Sequence, residues 1–233
     1  MASRKEEAHE QSRPSGKRKR VLLVDDHPLV REGLVTLIRA TPDLEVMGES
    51  GNSDEALRAL SEDLPDLVLV DLSLPGRNGL DLIREIRSKY PKLRVLVLSM
   101  YEEGVYAERA LRAGAHGYIM KQAPGAKIIE AIRTVLRGEV YVSPTITTRM
   151  LQLLVDGSVG ENRHSDLEGL SDRELQVFTS IGNGLATQEI ADVLKLSVKT
   201  IQTYREHIKR KLGLRNATDL VHYATQRVQS EGR

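Results

Sequence analysis

The sequence contains no cysteine and no tryptophan, and it has a single phenylalanine beside seven tyrosines. Because there is no thiol, disulfide bonds and thiolate-ligated metal sites are excluded. With so few aromatic side chains, the hydrophobic cores must be built mostly from Val, Leu, Ile and Ala. At 233 residues, the chain is long enough for one large domain or for two small ones with separate cores.

Long apolar segments are also missing. The strongest apolar runs are about four residues long, as at 21–24, whereas a helix that spans a bilayer needs about 20. The first twenty residues contain no apolar stretch, which excludes a secretory signal. We therefore expect a cytoplasmic protein that makes no use of a membrane, and the lack of cysteine suits a reducing compartment.

The formal net charge of +1 conceals an uneven distribution. Residues 1–19 are rich in Lys and Arg and match neither domain described below, so we expect a disordered basic leader that adds nonspecific affinity for DNA. The segment 198–213 has five basic residues against one acidic residue, Glu206. This local excess of positive charge near the C-terminus indicates that the C-terminal part of the chain has a function separate from that of the N-terminal part.

Short apolar runs alternate with amphipathic helical patterns through the front of the chain. The runs are continuous rather than alternating, which is typical of parallel strands covered on both faces. The sequence therefore predicts a doubly wound α/β fold with a five-stranded parallel sheet over residues 20–140. The predicted strands lie at 21–24, 46–47, 67–70, 95–98 and 118–120, and two of the predicted helices at 28–40 and 124–137.

The strand signal stops after Val142. We interpret residues 141–166 as a linker with a short helix near 145–155, and residues 167–230 as a small all-α domain of four helices. Ser171 and Glu174 form a capping-box pattern at the start of this domain. The predicted helices begin after caps at Ser171, Thr187 (helix 188–195), Ser197 (198–213) and Asn216 (217–228).

Acidic, hydroxyl and basic side chains follow four of the predicted strands. Asp25 and Asp26 follow the first strand, Asp71 the third, Ser99 the fourth and Lys121 the fifth. In open α/β sheets, chemistry is found outside the carboxyl ends of the strands. Converging carboxylates favour Mg²⁺, and a carboxylate beside Mg²⁺ can attack a phosphoryl group. Lys121 and Ser99 would hold the phosphoryl oxygens.

Each of these residues taken alone has a simpler structural explanation. A single Asp after a strand is more often a helix cap or a turn residue. His27, which follows Asp26, is more often a loop or cap residue than a base or a ligand. The ordered set at four strand ends favours the functional interpretation.

The segments LLVDDHPLVREGL, LVLVDLSLPGRNGL, VLVLSMYEE and GAHGYIMK resemble the receiver domain of bacterial response regulators, which has a flavodoxin-like fold. The resemblance implies that Asp71 accepts a phosphoryl group from a partner histidine kinase. It implies Mg²⁺ ligands at Asp26, Asp71 and the backbone carbonyl of Ser73, with Asp25 completing the acidic pocket.

The resemblance also implies a switch made of Ser99 and Tyr118, in which the hydroxyl moves to the phosphoryl group and the ring turns inward. Gln122 stands directly after Lys121, where many receivers have Pro. This departure argues against a cis peptide bond there and leaves the role of Lys121 intact.

The segment LATQEIADVLKLSVKTIQTYREHIKRKLGL is typical of a helix, a tight turn and a second helix. One face of helix 198–213 is apolar, and the other mixes charged groups for phosphates with polar groups for base edges, as a major-groove helix requires. A solvated helix face is the alternative. The predicted DNA contacts are Lys199, Thr200, Gln202, Thr203, Arg205, Glu206 and Lys209.

Residues 167–228 resemble the LuxR-type DNA-binding domain, and its combination with a receiver is similar to the NarL/FixJ family of response regulators. Gln202, Glu206 and Tyr204 depart from residues that are common in the family at these positions. The resemblance implies dimers formed through the last helix, with an apolar seam of Leu220, Val221 and Ala224.

These features predict a transcription regulator rather than an enzyme. The implied partners are a sensor histidine kinase, double-stranded DNA, RNA polymerase and, after phosphorylation, a second copy of the chain. A haloacid-dehalogenase-type phosphatase would need an acid two residues after Asp71, where Ser73 stands. A constitutive DNA-binding protein with a silent receiver-like domain is the other alternative.

Overall fold

A parallel sheet forms the centre of the N-terminal domain. The computed structural model describes residues 17–155 and 166–231, so most of the predicted basic leader lies outside the described residues. The sheet has five strands in the order β2-β1-β3-β4-β5, and all of its strand pairs are parallel. The strands are β1 (Lys19–Val24), β2 (Leu44–Ser50), β3 (Leu67–Val70), β4 (Arg94–Ser99) and β5 (Tyr118–Met120).

Helices cover both faces of this sheet, as the continuous apolar runs predict. They are α1 (Pro28–Arg39), α2 (Ser53–Glu62), α3 (Gly79–Lys89), α4 (Glu103–Ala113) and α5 (Gly125–Leu136). Val21 and Leu23 of β1 pack with the buried faces of α1 and α5. Leu22 and Val24 point to the opposite face and pack with α2, α3 and α4. The doubly wound fold is therefore confirmed.

The rest of the chain is helical. Helix α6 (Pro144–Val155) follows the sheet domain along the chain, and a short 3-10 helix (Asp166–Gly169) precedes four further helices. Their common core includes Phe178, Ile190, Ile201, Ile208 and Leu220. These helices are α7 (Asp172–Gly182), α8 (Thr187–Leu194), α9 (Val198–Lys211) and α10 (Ala217–Glu231).

The predicted helix caps are correct with one exception. Ser171 and Glu174 form a complete capping box, and the side chain of Ser197 accepts a hydrogen bond from the backbone N–H of Thr200. Thr187 is the first residue of α8 rather than its cap, and Ala186 holds the cap position. Because Ala has no side-chain acceptor, only half a capping box forms there, in which the N–H of Ala186 donates to Glu189 at 2.7 Å.

Three strands are longer than their apolar runs, and β4 is the least changed, with one added residue at each end. The strand β1 begins at Lys19, whose ammonium group lies 2.8 Å from the carboxylate of Asp66 at the sheet's amino edge. The strand β2 extends over Leu44–Ser50 because its polar residues Glu45, Glu49 and Ser50 also pair with β1. Within the described ranges, none of the helices is long and apolar enough to cross a bilayer.

Candidate functional site

The acidic side chains meet at the carboxyl edge of the sheet. The backbone N–H of Asp71 donates to the carbonyl of Val24 at 2.8 Å, and that of Asp25 donates to Ser50 at 3.1 Å. These bonds extend the ladder one residue past β1 and β3, which places both carboxylates at the same rim. Asp71 and Asp25 are buried, with 1% and 3% of their surface exposed.

Lys121 reaches this pocket from the end of β5. Its Nζ lies 2.6 Å from Oδ2 of Asp25 and 2.8 Å from Oδ2 of Asp71. Burial alone lowers the pKa of Lys121, but the carboxylates of Asp71 and Asp25 outweigh it and raise the pKa. Lys121 is therefore held as an ammonium ion beside the predicted acceptor.

The backbone behind Asp71 is fixed by the start of α3. A Cβ atom on Gly79 would overlap the carbonyl oxygen of Asp71 and lie 2.6 Å from Cα of Leu72. The N–H of Gly79 donates to the carbonyl of Leu72 at 3.2 Å, and buried Asn78 caps α3 by accepting from the N–H of Leu80. Only glycine allows this close approach.

The pocket fits a divalent cation. Ligand atoms of Asp25, Asp26, His27 and Asp71 all lie within 4.8 Å of one another. Oδ2 of Asp25 and Oδ1 of Asp26 are buried and accept no well-directed hydrogen bond among the described residues, although Lys121 and His27 are within ion-pair distance of them. Carboxylate oxygens without donors are what a hard cation requires.

His27 belongs to this pocket as well as to the cap position of α1. Its side chain makes no capping hydrogen bond, and its Nδ1 lies 2.8 Å from Oδ1 of Asp26 and 3.1 Å from Oδ1 of Asp25. The prediction of a loop or cap residue describes its backbone correctly. Its contact with two carboxylates was not predicted from the sequence, which favoured a loop or cap role over a ligand role.

The predicted switch residues lie next to the pocket in a cluster of three tyrosines. Oγ of Ser99 accepts a hydrogen bond from the N–H of Tyr101 at 3.2 Å. The hydroxyl of Tyr118 donates to the carbonyl of Tyr101 at 2.7 Å, and Tyr118 is fully buried. The inward turn of this ring, expected as part of the switch, is thus already made in this conformation. Burial raises the pKa of Tyr101 to about 12, against a smaller opposing effect of a hydrogen bond with Ser73.

The predicted DNA-contacting face of α9 is directed to solvent. Lys199, Gln202, Thr203 and Glu206 are exposed, while Thr200, Arg205 and Lys209 are partly buried. The carboxylate of Glu206 lies 2.9 Å from Nζ of Lys209, so its negative charge is partly compensated. The sheet domain therefore leaves the row expected to read bases uncovered.

The predicted dimer seam needs a correction. Leu220 and Ala224 are fully buried, and α10 packs against α7, where a Cβ atom on Gly182 would lie 2.6 Å from the carbonyl oxygen of Ala224. Their apolar surface is used inside the domain and is not available to a second copy. Val221, with 42% of its surface exposed, is the only member of the three that faces outward.

The helical domain docks on the sheet domain beside the acidic pocket. The buried side chain of Gln176 on α7 donates to the carbonyl of Leu72 at 3.1 Å, one residue after Asp71. The guanidinium of Arg173 donates to the carbonyl of Gly76 at 2.6 Å. The loop that follows β3 is thus held by two side chains of α7.

Ion pairs surround this docking contact. The carboxylate of Asp172, in the first turn of α7, pairs with Arg84 at 2.7 Å and with Arg109 at 3.1 Å. Arg109 also donates to the carbonyls of Leu167 and Leu170. A third pair joins Lys195, between α8 and α9, to Asp26 of the acidic pocket at 2.8 Å.

Sequence patterns alone did not reveal this second set of residues. Arg84, Arg109, Gln176 and Lys195 are polar residues on amphipathic helices or in a turn, and such residues are usually solvated. A weak signal did exist, since Tyr101 and Tyr106 are two of few aromatic residues in the chain and follow the strand that ends in Ser99.

Two protein families match the chain in this order. Residues 21–133 match the response regulator receiver domain, and residues 168–224 match the bacterial regulatory proteins of the luxR family. The acidic pocket at the sheet edge and the helix-turn-helix that follows later in the chain agree with these matches. Together they define a phosphorylation-dependent regulator of transcription. The chain belongs to the two-component response regulators that join a receiver domain to a LuxR-type DNA-binding domain.

Relatives of known name agree with this assignment. The chain is 35% identical over 211 residues to the oxygen regulatory protein NreC of Staphylococcus carnosus (strain TM300), covering 89% of this chain and 97% of that protein. It is similar to a LuxR-family two-component response regulator from Aurantimonas sp. SI85-9A1, with 37% identity and a TM-score of 0.55 over 60% of this chain and 99% of that one.

A solved complex covers both domains. RcsB from Salmonella enterica serovar Typhimurium, bound to the promoter rprA in the presence of the phosphomimetic BeF3⁻, is 26% identical to this chain. The TM-score is 0.59, and the match covers 90% of this chain and 99% of RcsB. From here on, the sheet domain is called the receiver domain and helices α7–α10 the DNA-binding domain.

Proposed function

We propose that Asp71 is the phosphoacceptor and that a sensor histidine kinase is the donor. The observation that carries this proposal is the position of Asp71, whose Oδ2 lies 2.8 Å from the Lys121 ammonium at the floor of a pocket with two further carboxylates. In the transfer, the P–N bond of the phosphohistidine breaks as a bond forms between phosphorus and a carboxylate oxygen of Asp71. The product is an acyl phosphate.

The other pocket residues have separate tasks in this proposal. Asp26, Asp71 and the backbone carbonyl of Ser73 would hold Mg²⁺, with Asp25 completing the acidic set. Mg²⁺ would supply positive charge to the phosphoryl oxygens during transfer. Lys121 donates to one phosphoryl oxygen, and the hydroxyl of Ser99 donates to another.

The switch would begin at Ser99. Its Oγ accepts from the N–H of Tyr101, so a movement of the hydroxyl toward a phosphoryl group would remove that bond. Tyr118 is already buried and bonded to the carbonyl of Tyr101. In this proposal Tyr118 therefore holds the Tyr101 segment, and the segment changes position when Ser99 moves.

The DNA-binding domain would read promoter sites as a dimer. We propose domain boundaries at residues 20–140 and 167–230, with Gln202, Thr203 and Glu206 at bases and Lys199, Thr200, Arg205 and Lys209 at phosphates and nearby groups. RNA polymerase would be recruited to, or excluded from, the same promoters. Because the base-reading row is exposed while the domain is docked, phosphorylation would act by pairing two domains rather than by uncovering one helix.

The test is phosphorylation by a small phosphodonor in the presence of Mg²⁺, comparing wild type with Asp71→Asn. We expect a shifted band on a phosphate-affinity gel and dimers by sedimentation for wild type, and neither for the variant. Phosphorylation of the variant to the wild-type level would move the acceptor elsewhere. No phosphorylation of either protein by any donor would favour a silent receiver that leaves DNA binding constitutive.

A further inference from the structure

A lysine of the DNA-binding domain contacts the acidic pocket of the receiver domain. Lys195 lies between α8 and α9 with a left-handed backbone conformation (φ 53°, ψ 46°), which a residue other than glycine adopts only when its surroundings hold it there. Its Nζ lies 2.8 Å from Oδ2 of Asp26, a residue 169 positions earlier in the chain. The turn of the helix-turn-helix thus points its charge at the phosphorylation site.

Two lysines contact the three carboxylates, in addition to His27, whose Nδ1 lies 2.8 Å from Oδ1 of Asp26. Lys121, from within the receiver domain, pairs with Asp25 and Asp71, whereas Lys195 pairs with Asp26. Asp26 is largely buried, with 9% of its side chain exposed. When the domains are docked, the Lys195 ammonium therefore supplies positive charge next to the Asp26 carboxylate.

We propose that Lys195 and a divalent cation compete for Asp26, so that cation binding and docking of the DNA-binding domain oppose each other. This inference rests on the metal site of the proposed function. A cation bound to Asp26 withdraws charge from the carboxylate and repels a nearby ammonium group. By linkage, docking weakens cation binding by the same factor by which the cation weakens docking.

The expected size of the effect follows from the exposure of Lys195. About half of its side chain is exposed, and ion pairs with an exposed partner are weak. We therefore expect Lys195→Gln to tighten Mg²⁺ binding by a factor of about two to five. In the wild-type protein, Mg²⁺ alone would then shift the equilibrium toward the undocked state before any phosphoryl group is transferred.

The first measurement is a Mg²⁺ titration of the full chain by calorimetry, without any phosphodonor. Wild type, Lys195→Gln and Lys92→Gln are compared. Lys92 is exposed and precedes β4 at the amino edge of the sheet, opposite the pocket, so its variant reports the loss of one positive charge alone. We expect tighter binding for Lys195→Gln only.

The second measurement follows the domains themselves. Because the chain has no cysteine, cysteines introduced at Arg39 on α1 and Gln226 on α10, both exposed, can carry a pair of spin labels. We expect Mg²⁺ to shift the distance distribution of wild type toward an undocked population. Lys195→Gln should start with more of that population and respond less, and Asp26→Asn should not respond.

The outcomes separate the two proposals. Mg²⁺ binding of equal strength in all three proteins, with an unchanged distance distribution, would overturn the competition and leave the metal site intact. An absence of Mg²⁺ binding in all of them would overturn the metal site of the proposed function, and the competition with it.

Discussion

The hydroxyl of Tyr106, on α4 of the receiver domain, lies 3.3 Å from Oγ1 of Thr179, on α7 of the DNA-binding domain. Both side chains are buried. Tyr106 stacks on Tyr101 with ring centroids 4.6 Å apart, and the N–H of Tyr101 donates to Ser99. These contacts form a continuous path of packed side chains from the predicted switch hydroxyl to the docked domain.

Tyr106→Phe is expected to weaken docking, because it leaves the buried hydroxyl of Thr179 without its partner. The loss should be about 0.5–1.5 kcal/mol in docking free energy, as for other buried hydrogen bonds, and is measured as the undocked fraction between labelled cysteines. Thr179→Val should have a similar effect. The double variant should cost less than the sum, and additive losses would show that the two hydroxyls do not interact.

Asp172→Asn is expected to make docking weaker and less sensitive to salt, because the variant loses ion pairs with Arg84 and Arg109. Wild-type docking should weaken as NaCl rises, since partly exposed charges are screened. The radius of gyration from small-angle scattering, followed across NaCl concentrations, measures both effects. Arg109→Gln should act more strongly than Arg84→Gln because Arg109 also holds two backbone carbonyls. Equal salt responses in wild type and Asp172→Asn would contradict the role of this cluster.

Gly79→Ala is expected to displace the start of α3 from the Asp71 backbone, because the new Cβ atom has no room there. We expect a loss of about 1–3 kcal/mol in the free energy of unfolding of the receiver domain, together with slower phosphorylation by a small donor. The control is Gly33→Ala, an exposed position within α1 with no atom within 4 Å of the new Cβ. That variant should be stabilised by up to about 1 kcal/mol, and a loss equal to that of Gly79→Ala would refute the steric explanation.

Acid is expected to destabilise the DNA-binding domain through Glu174. Burial alone raises the pKa of Glu174, but hydrogen bonds from Lys211 and Ser171 outweigh it and hold the pKa below 4.5. Because the folded pKa is below the unfolded one, this stabilisation is present above pH 4.5 and is lost as the pH falls through the folded value.

Glu174→Gln should therefore lower stability at neutral pH by up to about 1 kcal/mol, because it loses the ion pair with Lys211 while Gln can still complete the capping box, and it should flatten the decline in acid. Urea denaturation at a series of pH values measures both. An unchanged acid profile in Glu174→Gln would assign the decline to other carboxylates.

Gln202→Ala is expected to relax the preference for one base pair at a cost of about 1–3 kcal/mol at that position. Binding to a set of single-base site variants measures this selectivity. Lys199→Ala serves as the comparison, because loss of a phosphate contact should weaken all sites equally and reduce the salt dependence. A uniform loss for Gln202→Ala would reassign Gln202 to the DNA backbone.

The acidic pocket was predictable because each of its members is defined locally, by its position directly after a buried strand. Asp25, Asp71 and Lys121 needed no knowledge of the rest of the chain beyond the order of the sheet. The docked arrangement was not predictable, because it joins residues such as Arg84 and Asp172, which lie 88 positions apart. Neither side chain differs in the sequence from an ordinary solvated residue.

The dimer seam shows where periodicity fails. An apolar row on a terminal helix can face its own domain or a second copy, and the sequence does not distinguish the two. Leu220 and Ala224 face α7, because the close contact at Gly182 brings the two helices together. The orientation of the Tyr118 ring was not predictable for another reason. The motif implies a ring that can turn, but it does not indicate which of the two orientations a given conformation has.

The hydrogen bond from Gln176 to the carbonyl of Leu72 has a consequence for the rate of phosphorylation. The bond ties the backbone next to Asp71, itself 1% exposed, to the DNA-binding domain. If Asp71 is the phosphoacceptor, as we propose, we expect transfer to be faster when the two domains are undocked, because undocking releases this backbone. Collective domain motions of this kind take about microseconds to milliseconds. We therefore expect that raising the concentration of a small phosphodonor increases the rate of phosphorylation only up to the rate at which the two domains undock.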